Sequence, residues 1–373
     1  MSNLLNMFLN ILPALVVFGI LIIVHEWGHF VACRLRGVKV EKFSIGFGRE
    51  LFHWQSKETR FAVSLFPVGG FVKPFGEEAS AVGPEGPRPG DFLAASVWSR
   101  ILIVVAGVVM NFILAFVLFS SVYMIGRPVP GTVIGGFVQG YPAEASGLQI
   151  RDRIVQVNGL PTAYWRDVLS ALDASESRVV RISVLRNGQV ISHDVTPRVE
   201  NTRDIFGKEV AMKRIGITPD PEVSAFERYG FWESAGKGAE AVAFHTELTY
   251  KALYYICTRQ LSPKNLMGPL GIVQVSGQAA KAGISSLLLL TAILSVSLAV
   301  INLLPFPALD GGHLIFLLIE ALFRKPVPVR IQERVTTLGF YALMGLMLLV
   351  FYNDIVNLQV MDKIKNLLRL GGS

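Results

Sequence analysis

The sequence predicts a polytopic α-helical membrane protein with about four spans, membrane-associated β-hairpins and one polar domain on the outer side. Three observations carry this expectation. Of 373 residues, 51% are hydrophobic and only 17% charged, against about 25% charged in an ordinary soluble domain. The apolar residues fall in long blocks, and a helix needs about 20 of them to cross a bilayer core. Between the second and third blocks lies a long polar stretch of short alternating segments and tight turns. The first two observations exclude a cytosolic globular enzyme. The net charge of +7 does not point to nucleic acid, because in so apolar a chain Lys and Arg flank membrane spans. No nucleic-acid partner is therefore expected, and membrane lipid is the natural surrounding. Cys33 and Cys257 lie in different regions, so no disulfide framework and no CxxC knuckle is expected, and any metal must rest on His and carboxylate.

The first block, Met7 to Val24, has no Lys or Arg ahead of it and no small-residue cleavage site behind it, so it reads as a lasting span rather than a signal peptide. Arg34, Arg36, Lys39 and Lys42 follow, which places that end in the cytoplasm and the N-terminus outside. The chain then alternates in strand fashion through Phe43, Ile45 and Phe47, and again through Phe61, Val63 and Leu65. So much β-pattern between two spans suggests hairpins dipping into the membrane, tolerable only where they line a cavity or pair; an ordinary small cytoplasmic sheet is the alternative. Gly83 to Gly90, rich in Pro and Gly, reads as a loop. The second block, Ile101 to Ile125, is free of charge, and alternation puts Arg127 to Ala282 outside. The third, Ile284 to Leu304, is followed by His313 to Phe323, half a span long and carrying Glu320, which suits a re-entrant or interfacial piece. Arg324, Lys325, Arg330 and Arg334 return the chain to the cytoplasm before the fourth block, Val335 to Tyr352. In the tail, Ile355, Leu358, Met361, Ile364 and Leu367 make an amphipathic pattern that suits the membrane surface.

The outer stretch reads as a strand from Gly131 to Val138, a short helix from Pro142 to Gly147, and a strand from Arg153 to Val157 turned by Asn158-Gly159. A helix from Tyr164 to Asp173 follows, then Val179 to Leu185 and Val190 to Val195 around Asn187-Gly188, and a last strand from Arg214 to Thr218. This order resembles a PDZ domain of the bacterial type, although Arg151 stands before Asp152 where that family usually has Gly. Such a domain would bind a terminal carboxylate or an extended strand along Ile215, Gly216 and Ile217, or act as a size filter. From Phe226 to Cys257 the composition turns helical. The expected divisions are residues 1–36, 37–96, 97–126, 127–220 for the outer domain, 221–283 for a helical connector, and 284–373.

At the end of the first span sits His25-Glu26-Trp27-Gly28-His29. HExxH on a helix sets two imidazoles on one face, able to hold one Zn²⁺, with the Glu beside them as general base. Ionisable groups at membrane depth are costly and mark function. A catalytic zinc wants a third protein ligand, and nothing near His29 in the chain supplies one. Asp310, His313 and Glu320 are the candidates at comparable depth. Asp310 stands in a stretch where Pro305 and Pro307 break the helix and Gly311 and Gly312 free the backbone, an arrangement tolerated in a membrane only beside a polar cavity. Asp310 is the expected third ligand and His313 the runner-up.

HExxH in the first span, together with Asn302-x-x-Pro305-x-Pro307-x-Leu309-Asp310-Gly311 in a late one, resembles the site-2 protease family of intramembrane zinc metalloproteases. Gly69-Gly70-Phe71-Val72, Ala106-Gly107 followed by Asn111, and Gly268-Pro269 extend the likeness over nearly the whole chain, with Val108 in place of the family's Pro. The resemblance implies a zinc endopeptidase of a bacterial inner membrane, its active site toward the cytoplasm, that cuts single-span membrane proteins such as an anti-sigma factor. It also implies that Asn302 and Pro305 lie on the substrate side. A metal-dependent transporter would show internal repeats and paired broken helices, and none is found. A dead scaffold presenting its outer domain would be expected to have lost Glu26 or a ligand. The sequence leaves the oligomeric state open.

Overall fold

The computed structural model of the chain describes residues 2–77, 86–203, 209–261 and 267–357. Part of the loop expected at Gly83 to Gly90, and the tail from Leu358 onward, lie outside the described residues. In chain order the helices are α1 (Ser2–Leu35), α2 (Val97–Ile125), α3 (Trp165–Asp173), α4 (Phe231–Cys257), α5 (Pro269–Ala282), α6 (Ile284–Leu303), α7 (Asp310–Phe323) and α8 (Val329–Asn357). The strands are β1 (Val40–Ser56), β2 (Thr59–Pro74), β3 (Arg127–Pro130), β4 (Ile134–Phe137), β5 (Arg153–Val157), β6 (Leu160–Pro161), β7 (Val180–Arg186), β8 (Gln189–Val195), β9 (Arg198–Arg203), β10 (Glu209–Arg214), β11 (Ile217–Pro219) and β12 (Ser224–Glu227). The chain forms two compact units, one of Met1–Val122, Phe231–Cys257 and Ser262–Ser373, the other of Tyr123–Gly230 and Thr258–Leu261.

The first unit is the membrane part. Four helical stretches among the described residues are long and apolar enough to cross a bilayer: Ile11–Leu35, Val97–Ile125, Ile284–Leu303 and Val329–Val356. The first helix runs on past the apolar block to Leu35, so HExxH lies well inside it. Helices α1 and α2 approach closely at glycine, as membrane helices do where small residues let backbones meet; a Cβ on Gly28 would stand 2.4 Å from the Ala106 carbonyl oxygen. Helix α6 stops at Leu303 because the residue before a proline is pushed out of the α region, and Leu304 is extended at ψ 147°. Helix α7 restarts at Asp310, folded back so tightly that a Cβ on Gly311 would lie 2.1 Å from the Leu304 carbonyl oxygen. Helix α5, which the sequence reading did not separate from the connector, packs against α1. Its free N–H groups are capped from α8, where the buried Asp354 accepts from Gly268 and Gly271, each at 3.0 Å.

Between α1 and α2, β1 and β2 pair antiparallel with several register shifts, so that Phe43 lies opposite both Phe61 and Val72. The first half of β1 thus has a neighbour on each side. Trp27 and Phe30 of α1 pack edge-on against Phe43, with Phe61 closing the cluster. The segment around Gly70 lies on α1, a Cβ there meeting Ile22 at 3.2 Å and Glu26 Cγ at 3.5 Å.

The second unit has a four-stranded sheet in the order β6-β5-β7-β8. Its turns at Asn158-Gly159 and Asn187-Gly188 have positive φ at both residues, the two-residue geometry that matches strand twist. Val168 and Leu172 of α3 close the core over Ile154, Val157, Ile182 and Val184. Three expectations are corrected. The strand expected from Gly131 to Val138 is shorter, β4 at Ile134–Phe137, and a separate strand β3, Arg127–Pro130, precedes it. The strand from Arg214 to Thr218 is broken at Ile215 and Gly216, because Ile215 turns into the core at 1% exposure and Gly216 takes φ +81°. Phe226 belongs to β12, not to the following helix, since Ser224 to Glu227 pair with β3. Glu227 is fully buried there, accepting from Arg127 at 2.8 Å and Tyr229 at 2.9 Å and paired with Arg166.

Candidate metal centre

His25 and His29 lie one turn apart on a single face of α1, and α7 delivers Asp310 against them. His25 Nε2 is 3.0 Å and His29 Nε2 3.5 Å from Asp310 Oδ2, and the two Nε2 atoms are 3.2 Å apart. This is the one group of three possible ligands found among the described residues, its atoms all within 4.8 Å of one another. A tetrahedral ion with bonds of 2.0–2.1 Å has ligand–ligand edges of about 3.3 Å, so the three separations suit such an ion. Asp310 Oδ2 is buried with no hydrogen-bond donor, which leaves its charge to be met by something between the three side chains. Two imidazoles and a carboxylate are a donor set that zinc accepts.

Helix α2 orients the imidazoles. His29 Nδ1 lies 2.8 Å from the Ile103 carbonyl oxygen. A carbonyl only accepts, so the ring proton sits on Nδ1 and the Nε2 lone pair faces the cluster. Gly107, one turn on, leaves room for both rings: a Cβ there would lie 2.3 Å from His29 Nε2 and 2.8 Å from His25 Cε1. Asn111, a further turn on and fully buried, reaches His25 Nδ1 at 3.3 Å.

Glu26 stands beside the cluster, its carboxylate accepting from the Val72 N–H of β2. Asn302, at the end of α6, brings its amide to 3.5 Å from His25 Nε2. Pro305 lies in the break between α6 and α7. His313 is exposed and is not among the three grouped atoms. Ile215, Gly216 and Ile217 lie in the other unit, where the Ile215 carbonyl accepts from Ala143, the Gly216 carbonyl from Val138, and Ile217 pairs with Phe137 of β4. Sequence reasoning missed the Ile103 carbonyl, and it singled out Gly107 and Asn111 only as part of the family likeness, not as one stripe with Ile103 facing the imidazoles. The i, i+4, i+8 spacing was the available signal, hidden in an apolar span where nearly every face looks alike. It also missed Arg100, whose guanidinium grips Glu320 of α7 at 2.6 and 3.1 Å.

The model of the peptidase family M50 matches residues 13–346. The chain belongs to peptidase family M50. This M50 chain is 34% identical to a Rhizobium meliloti protein over 91% of its own length and 95% of that relative. It is likewise 34% identical to one from Clostridium acetobutylicum, covering 94% and 98%, and 33% identical to one from Campylobacter jejuni, covering 93% of each. All three relatives carry the provisional name zinc metalloprotease. The M50 match bears out the resemblance to site-2 proteases, and the chain is a membrane-embedded metalloprotease of that type.

Proposed function

We propose that the chain is a zinc endopeptidase that hydrolyses peptide bonds within or beside the transmembrane segments of single-span proteins. The convergence of His25, His29 and Asp310 next to Glu26, all carried by helices of the membrane unit, is the observation that carries this reading. His25, His29 and Asp310 would hold a zinc ion, which would supply the Lewis acidity to make a water acidic near neutral pH and to polarise the scissile carbonyl. Glu26 takes the proton from the attacking water and returns it to the leaving amine. The Val72 N–H holds the Glu26 carboxylate in place for both transfers.

An intact helix hides its carbonyls in its own hydrogen bonds, so the substrate must be extended at the cut. The segment around Gly70 lies against Glu26 and is suited to pair with an extended substrate by strand addition. Asn302, by its nearness to His25, is placed to donate to the substrate carbonyl, with Pro305 shaping that wall. The basic residues after α1 and around the start of α8 put the catalytic end toward the cytoplasm. The second unit then lies outside as a PDZ-like domain, a reading supported by its small sheet closed by α3. There it either binds a peptide along Ile215 to Ile217 or excludes membrane proteins with bulky outer parts. A membrane-anchored anti-sigma factor is the substrate that the site-2 likeness suggests.

Purified protein reconstituted with a single-span substrate tests the reading. Glu26→Gln is expected to keep its zinc and lose at least 100-fold in cleavage rate; cleavage at the wild-type rate with zinc bound would overturn the assignment. Asp310→Ala is expected to lose zinc.

A further inference from the structure

The two imidazoles of the metal centre are not oriented alike. His29 is fixed by a backbone carbonyl, whereas the Nδ1 of His25 meets a side chain, Asn111, on the next turn but one of the same helix. Asn111 is fully buried, and its backbone is tied from α6, where Ser295 Oγ donates to the Asn111 carbonyl at 2.8 Å. Its position is therefore set from two helices besides α1. The amide is placed with Nδ2 toward His25 Nδ1, which leaves Asn111 Oδ1 buried and without a donor.

The two ends of a side-chain amide are interchanged by a half-turn, and the hydrogen-bond network decides between them. With Nδ2 donating to Nδ1, the His25 proton would sit on Nε2. It would then point at Asp310 Oδ2 and His29 Nε2, only 3.0 and 3.2 Å away, and close the ring nitrogen to any ion. With the amide turned, Oδ1 accepts from Nδ1–H, gains the donor it lacks, and leaves the Nε2 lone pair facing the other two ligand atoms. That matches the tautomer which Ile103 imposes on His29.

We propose that Asn111 is a positioning residue of the metal centre, its side-chain oxygen accepting the Nδ1–H of His25 and so presenting His25 Nε2 to the ion. The stripe Ile103, Gly107 and Asn111 then works as a unit: one position orients His29, one makes room for both rings, and one orients His25. Losing such an outer partner costs about 10–100-fold in metal affinity.

This inference rests on the metal-centre reading above, and the test separates the two. Zinc affinity of the full-length protein in detergent is measured by competition with a chromophoric chelator, alongside the visible spectrum of the Co²⁺ form, for wild type, His25→Ala, Asn111→Leu and Asn111→Asp. The expected result is tight binding by wild type, loss in His25→Ala, a drop of about 10–100-fold in Asn111→Leu, and recovery in Asn111→Asp, which keeps an acceptor in the same place. The Co²⁺ spectrum should shift in the Leu form and return toward wild type in the Asp form. Wild-type affinity in Asn111→Leu would overturn the role of Asn111 while leaving the metal centre standing. Wild type that binds no more zinc than His25→Ala would overturn both. If the Leu form does not fold, Asn111→Asp decides: retained affinity supports the role, and a tenfold drop overturns it.

Discussion

Arg151 takes φ +73° in the turn ahead of Asp152, a left-handed conformation that suits glycine and strains a side chain with a Cβ. The strain is held by its neighbours: Arg151 N–H donates to the Ile134 carbonyl at 2.8 Å, and Asp152 receives Arg186 at 2.6 and 2.7 Å. Arg151→Gly is expected to stabilise the second unit by about 1 kcal/mol, which in a domain of this size raises its melting midpoint by several degrees. Differential scanning calorimetry of the whole chain would show it, and a lowered midpoint would contradict it. His25, Glu26, His29 and Asp310 were legible in the sequence because charge is conspicuous among apolar residues. Asn111 was legible only as a position in the family likeness. Its meaning depends on which atom of another helix it meets, and spacing along one chain does not carry that.

Among the elements, α7 carries Asp310, the proposed third ligand, and needs a firm seat. It is joined to the start of α2 by the two-pronged pair of Arg100 and Glu320, whose side chains are only 9% and 13% exposed. Breaking a buried pair from one side strands the other charge, so Arg100→Ala is expected to cost about 3–5 kcal/mol of stability in the membrane unit. Because the same helix bears Asp310, zinc retention should weaken with it. The double exchange Arg100→Glu with Glu320→Arg should recover much of both. Thermal denaturation and metal content of the three forms in detergent measure this, and an exchange no better than the single variant would deny the coupling. The spans and the break after α6 were legible, since apolar length and paired prolines are local signals. Helix α5 and strands β9, β10 and β12 were not. Their residues are of middling polarity, and their pairings are set by partners distant in the chain.

At the scale of the whole molecule, acid acts on the second unit through two buried carboxyls, Asp152 and Glu227. In the second unit, burial alone would raise the carboxyls of Asp152 and Glu227. Arg186 with the Gln149 N–H on the first, and Arg127 with Tyr229 and Arg166 on the second, more than offset it, so both lie below the ordinary carboxylate range. A carboxylate lowered on folding contributes stability that is complete above its unfolded value, about 4, and is lost as pH falls toward the folded one. The second unit is therefore expected to hold its melting midpoint from pH 7 to about 5 and to lose it steadily below 4. Arg186→Ala should flatten that decline, because it removes the cause of the Asp152 shift. A midpoint that stays level down to pH 3 would contradict the account.

The proposed metal ligands are divided along the chain, two on the first helix and one 281 residues after His29, at Asp310. At about 5–20 residues per second, synthesis takes roughly 14–56 s to travel between them. Through most of that interval a ribosome-bound chain has its first span and both imidazoles made but lacks Asp310, the proposed third ligand. On the proposed assignment the enzyme is born inert, and proteolytic competence arrives only as the last quarter of the polypeptide is inserted.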